Sequence, residues 1–170
     1  FKDAVEKLNL AKDNAYVAEK KAEVDKFAIE FSEQSKVNYN EGLDGYAESV
    51  KSEIKTKQEV ILVESIGDAM ALYEQGIKNV LVMFGLSVNA NIISYLSSKS
   101  ICSICISTNN DQGSGENRGL IAAIKTFIKL SSYFDLDRLI VKFPPKPYND
   151  FGDAHLDGYD FKKNWLEKEH

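Results

Sequence analysis

From residue 59 onward, short unbroken apolar runs take turns with stretches whose apolar positions recur at helical spacing. The runs at 59–63, 79–83, 101–106 and 138–143 have the length of strands and the Val and Ile content of strands, and they are apolar on both faces. That pattern belongs to strands buried in a parallel sheet. Between them, Gly67 to Gln75, Val88 to Ser97 and Gly115 to Ser131 carry helical periodicity, with Gly76 placed as a helix stop. In the last of these helices Leu120, Ile121, Ile124, Phe127 and Ile128 are expected to form the inner side. Pro144, Pro145 and Pro147 end the fourth strand, and the polar loop 148–153 leads into a C-terminal helix through Trp165. Alternating strands and helices predict an α/β, Rossmann-like fold: a four-stranded, mainly parallel sheet flanked by helices.

The first part of the chain reads differently. Residues 1 to about 35 place Ala, Val, Leu and Phe among many charges with no Pro or Gly, an amphipathic helical arm. Residues 38–45 form a turn-rich joint, and a short helix follows from Tyr46 to Lys55. The expected division is an arm and linker over 1–56 and an α/β domain over 57–170. Phe1 is not a start methionine, so the chain is expected to be a segment of a longer protein.

Composition narrows the function classes. The 170 residues are 44% hydrophobic, enough for one substantial core, and the net charge of −5 leaves no overall basic footprint for a polyanion. A nucleic-acid partner therefore has to meet a local patch or a bound cation. The two cysteines, Cys102 and Cys105, lie on one strand, and their odd separation points them to different faces. No second Cys or His pair completes a zinc site, and no disulfide framework follows, which favours an intracellular, cytoplasmic protein. No stretch reaches the ~18 apolar residues of a membrane span, and no signal peptide is visible.

The chemistry lies where the strands end. The first strand runs directly into Glu64, with Asp68 four residues on, and the third empties into Ser107-Thr108-Asn109-Asn110-Asp111. In a parallel sheet these exits share one edge, together with Asp150 and Asp153 after the fourth strand. Gathered carboxylates repel one another unless a cation neutralises them, and hard oxygen donors suit Mg²⁺ or Mn²⁺. Each residue also has a plainer explanation. Glu64 is a polar loop residue, Asp68 favours a helix N-terminus, 109–113 has turn composition, and Asp153 fits a helix cap. The stretch Gly113 to Gly119 offers backbone amides at a helix start without the Gly-Lys-Ser/Thr ending of a phosphate loop, and Arg118 is its candidate phosphate contact.

Taken in order, Val-Glu-Ser-Ile-Gly-Asp-Ala at 63–69, Phe-Gly-Leu-Ser at 84–87, Asn-Asn-Asp at 109–111 and Asn-Asp-Phe-Gly-Asp at 149–153 resemble a TOPRIM domain. The joint Gly42-Leu43-Asp44-Gly45-Tyr46 is similar to the segment leading into that domain in bacterial and phage primases, where part of the catalytic core precedes it. The resemblance implies that Glu64 is the family glutamate, a general acid/base or metal-positioning group, and that Asp111 is the second acid of an Asp-x-Asp metal motif. Asn109 replaces the first acid of that motif, and Ser65 replaces the glycine that follows the glutamate. It further implies metal donors at Asp150 and Asp153 and a loop-holding role for Asp68. The implied function is Mg²⁺-dependent synthesis of RNA primers in DNA replication. Single-stranded DNA template and nucleotides would be the substrates, and a replicative helicase or fused helicase domain the partner. The alternatives within the same resemblance are an OLD-type nuclease and a non-catalytic, RecR-like repair module.

Overall fold

The computed structural model describes residues 45–111 and 117–167. The amphipathic arm, the joint before Gly45, the glycine-rich stretch at 112–116 and His170 lie outside them. The chain divides into two compact units, Phe1–Tyr46 and Ala47–His170, and the sheet belongs to the second.

Residues 45–57 are helical (α1). This helix, which the sequence pattern assigns to the linker, buries Val50 and Ile54 and meets the next helix through a 2.8 Å hydrogen bond between Ser49 Oγ and Tyr73 Oη. Gln58 turns the chain at φ 56 into the first strand.

The strands are β1 (Glu59–Val63), β2 (Val80–Val82), β3 (Ser103–Ser107) and β4 (Leu139–Val141), and the helices between and after them are α2 (Ile66–Glu74), α3 (Ala90–Ser97), α4 (Arg118–Leu130) and α5 (Phe151–Leu156). All pairings are parallel and the order is β2-β1-β3-β4. The four-stranded parallel α/β fold expected from the alternation is the fold observed. Because β2 lies on one side of β1 and β3 on the other, successive connections run in opposite directions from β1. Right-handed crossovers then put α2 on one face and α3 and α4 on the other.

The face under α2 has a clear core. Ile61 and Val63 of β1 pack with Ala69, Ala71 and Leu72 of α2, with Phe151 and Ala154 of α5, and with Phe161 and Trp165 beyond it. Edge-to-face contacts of Phe151 with Phe161 and Trp165, at 5.4 and 4.9 Å between ring centroids, lock the C-terminal segment down. The C-terminal helix expected through Trp165 is broken: Gly158, at φ 76, ends α5, and a short π-helical turn, Lys162–Leu166, follows.

The inner side of α4 differs from the expectation. Gly119, Ala122, Ala123, Thr126 and Leu130 are buried, whereas Leu120, Ile124 and Ile128 are exposed and Ile121 and Phe127 half-buried. Small residues let this helix approach the sheet closely, and the larger aliphatic stripe turns outward.

Candidate active site

In an open parallel sheet, ligands are bound beyond the strand C-termini where the strand order reverses. Here that point lies between β1 and β3. Val63 is level with Ser107 in the register, so both strands finish together and their exits face each other. Glu64 leaves β1 there, and its Oε1 accepts the backbone N–H of Asn109 at 3.0 Å.

The loop after β3 is fixed to α4. Thr108, fully buried, donates through Oγ1 to Gly119 O at 2.7 Å, and Asp111 Oδ2 accepts from Gly119 N–H at 3.0 Å. Gly119 has no room for a side chain: a Cβ would lie 1.7 Å from Asn109 O. The same loop reaches the exit of β4. Asn110 N–H donates to Asn149 O at 2.7 Å. With the Asn149 amide oriented by its hydrogen bonds, Nδ2 donates to Asn110 O at 3.0 Å and to Asp111 Oδ1 at 3.2 Å.

Asp68 joins a second pair of exits. It is 2% exposed and serves as the N3 residue of a capping box with Ser65, whose N–H and Oγ–H donate to Oδ2 at 3.2 and 2.7 Å. Its Oδ1 accepts Phe151 N–H at 3.0 Å, which ties the start of α5 to α2. Asp150 caps α5, its Oδ1 accepting Asp153 N–H at 2.7 Å.

Electrostatics single out Glu64 and Asp68. Burial pushes the half-buried Glu64 carboxyl above its ordinary value; the Asn109 N–H opposes this, and the charges of Asp111 and Asp68 add to the rise. Burial raises Asp68 as well, against its Ser65 and Phe151 hydrogen bonds, with Asp150 contributing repulsion. The acids are thus coupled as Glu64 with Asp111 and Asp68, and as Asp68 with Asp150.

The six-residue gathering expected from the strand ends is looser than a metal cage. Among the described residues no three His, Cys, Asp or Glu side chains stand together as a metal-binding group. Asp150 is engaged in capping, Asp153 is exposed in the first turn of α5, and Arg118 is exposed at the start of α4. Glu64 and Asp111 repel one another across the exits of β1 and β3, while Asp111 also accepts hydrogen bonds from Gly119 and Asn149. A pair fits Mg²⁺, which binds through one or two carboxylates and otherwise keeps waters or takes phosphate oxygens.

Gly119, Thr108 and Asn149 fall within stretches that the sequence marks, but the pattern assigns none of them a role of its own. The one signal available was a glycine just inside a helix start, where nothing local demands it.

A parallel α/β sheet with acids at its switch point is the arrangement in which open α/β folds place a ligand site. The Toprim-like family pattern matches residues 61–154, more than half of the chain, and the chain belongs to that family. No curated protein matches it. Among solved structures it is similar to the RNA polymerase domain of Mycobacterium tuberculosis primase DnaG, with a TM-score of 0.52 and 19% identity over 67% of this chain and 36% of that one. It is also similar to a DnaG catalytic core, with a TM-score of 0.51 and 19% identity over 64% of this chain and 33% of that one. The Mycobacterium domain bound to a double-stranded DNA oligomer with a 6-nucleotide overhang gives a TM-score of 0.50 at 19% identity, over 68% and 35% of the two chains. The chain spans about a third of the length of these structures. At this identity the likeness is one of fold: a TOPRIM domain of the kind that primase cores contain.

Proposed function

We propose that this TOPRIM domain performs metal-dependent nucleotidyl transfer within a DNA primase or primase-helicase, joining ribonucleotides on a single-stranded DNA template during replication. The observation that carries this reading is Glu64: a half-buried carboxylate at the switch point of the sheet, made costly as an anion by burial and by Asp111 and Asp68. Such an acid serves as a proton carrier or as a ligand for a hard cation. Mg²⁺ or Mn²⁺ supplies activation of the attacking hydroxyl and charge neutralisation at the leaving pyrophosphate. Glu64 and Asp111 would hold it, with the Asn109 side-chain oxygen as a neutral donor. Asp150 and Asp153 would be the further carboxylates near the ion, and Arg118 would contact phosphate. Asp68 works indirectly, holding the exits of β1 and β4 together through Ser65 and Phe151.

The DNA-bound primase among the fold relatives supports DNA as a partner; on this reading the substrates are a single-stranded template and nucleotides, and the protein works in the cytoplasm beside a replicative helicase or fused to one. Among the described residues no helix is long and apolar enough to cross a membrane.

A priming assay on single-stranded template in Mg²⁺ tests the proposal. The full-length protein is expected to extend ribonucleotides and Glu64→Gln to lose at least a hundredfold in rate, the scale of a lost proton-transfer or charge-stabilising group. Undiminished priming by Glu64→Gln sinks the assignment, and cutting of DNA in place of priming identifies an OLD-type nuclease. The lack of a three-acid group among the described residues, with Asn109 at the metal motif, favours one further reading, a non-catalytic RecR-like module. That module would bind DNA without turnover.

A further inference from the structure

The loop leaving β2 displays an aromatic ring that the fold does not bury. Phe84 has φ 55, in the left-handed region that residues with a Cβ seldom occupy, and its side chain is 74% exposed. Packing of the ring therefore does not account for the backbone. Gly85 follows at φ 154 and Leu86 is 49% exposed.

Both ends of this tip are anchored. Met83 is 2% exposed; its N–H donates to Val63 O at 2.8 Å and its Sδ accepts Thr126 Oγ1 at 3.8 Å. Val88 is 1% exposed and its carbonyl accepts Lys129 Nζ at 2.7 Å, after which Asn89 caps α3. An unfavourable backbone conformation persists where its surroundings over-determine it, and such sites cluster where ligands bind. The position is equally specific. Val82 pairs with Val63, so Met83 comes level with Glu64 and Phe84 emerges from the neighbouring strand at the same edge.

We propose that Phe84 is a stacking platform for an unpaired base of the nucleic acid held at this edge, an inference that rests on the function proposed above. The tip itself, Phe84-Gly85-Leu86-Ser87, carries no charge to offer a phosphate, so the contact it can make with a nucleic acid is with the faces of bases. A ring carried on an anchored backbone supplies that contact at a reduced ordering cost, and it accepts any base because every base has a π-face. A protein partner is the less suited occupant, since the tip offers a ring and one leucine between buried anchors.

The test uses the full-length protein and a labelled short single-stranded DNA in EDTA, read by fluorescence anisotropy, beside a polymer of abasic deoxyribose phosphates. Phe84→Gly removes the ring and relieves the left-handed strain, so it is expected to melt no lower than the parent while binding the DNA about tenfold more weakly. Phe84→Trp is expected to restore affinity. The abasic polymer is expected to bind parent and Phe84→Gly alike, and the tenfold difference is expected to persist as salt is raised. Equal DNA affinity in Phe84→Gly overturns the proposal, whatever else the tip binds, as does an equal loss on the abasic polymer. Because no metal is present, the result stands apart from that of Glu64→Gln in the priming assay: base stacking with inactive priming would fault the nucleotidyl-transfer reading alone.

Discussion

Asp68 is nearly inaccessible to water, and three hydrogen bonds from Ser65 and Phe151 surround its carboxylate where a cation would ordinarily stand. Its carboxyl titrates above the ordinary value of 3.8 in the folded chain, because burial outweighs those bonds. Between the two values the folded chain keeps a proton that the unfolded chain has released. The stability contributed by this group is therefore complete below the unfolded value and lost as pH rises through the folded one. Asp68→Asn keeps an acceptor for Phe151 N–H but sets an NH₂ against the Ser65 N–H, at a cost of about 1–3 kcal/mol. Urea unfolding at a series of pH values should show the parent losing stability as pH rises in the acid range, and the variant with a lower but flatter profile. A variant that is as stable as the parent at every pH would mean that Asp68 does not tie α2 to α5. Glu64 is also raised chiefly by burial, with repulsion from Asp111 and Asp68 added and only one opposing hydrogen bond, which a glutamine can also accept. Glu64→Gln should be at least as stable as the parent at neutral pH although inactive, the relation expected of a site whose strain serves function. Cys105 offers a plainer test, since burial pushes its thiol up to about 12 while Cys102 is exposed. Iodoacetamide at mildly alkaline pH should label Cys102 and spare Cys105 until the chain is unfolded.

At the scale of elements, α4 is where sequence pattern and structure part. Its large aliphatic residues have the spacing of a core stripe, and pattern alone gives no reason to prefer the adjacent stripe of Gly119, Ala122, Ala123, Thr126 and Leu130. What decides is distance, for this helix must come close enough for Gly119 to bond both Thr108 and Asp111 across the loop after β3. That contact is made between elements and cannot be read from either. The strands, their parallel direction and the exits bearing Glu64 and Asp111 were legible because apolar runs of strand length and the residues that end them are local features, whereas the order β2-β1-β3-β4 was not. Gly119→Ala is the sharp test of the inter-element contact. An added methyl would sit 1.7 Å from the Asn109 carbonyl carried by backbone, so the loop or the helix has to move. A loss of about 3 kcal/mol in unfolding free energy is expected, toward the upper end of overpacking costs. Since the displaced carbonyl belongs to the residue whose N–H holds Glu64, priming should fall more than stability predicts. A variant with parental stability and rate would show that the close approach is dispensable.

For the whole molecule, the question is what balances the acids that the fold brings to one edge of a chain already carrying a net charge of −5. The repulsion between Glu64 and Asp111 persists beside the hydrogen bonds that each accepts from the backbone. A cation bound between them in the folded chain, and not in the unfolded one, must raise stability by mass action. At about ten times its dissociation constant the gain is about 1.4 kcal/mol, equivalent to a rise in Tm of about 3–5 °C for a chain of this size. General screening of the surplus negative charge also stabilises, but it depends on ionic strength and not on which residue is present. The two are separated by comparing millimolar Mg²⁺ or Mn²⁺ with NaCl of matched ionic strength, in the parent and in Glu64→Gln. The parent should gain with the divalent ions beyond the NaCl control. The variant should begin from a higher Tm, because its repulsion is already relieved, and should gain nothing beyond that control. An identical divalent shift in both proteins would place the ion elsewhere and remove Glu64 from the metal site.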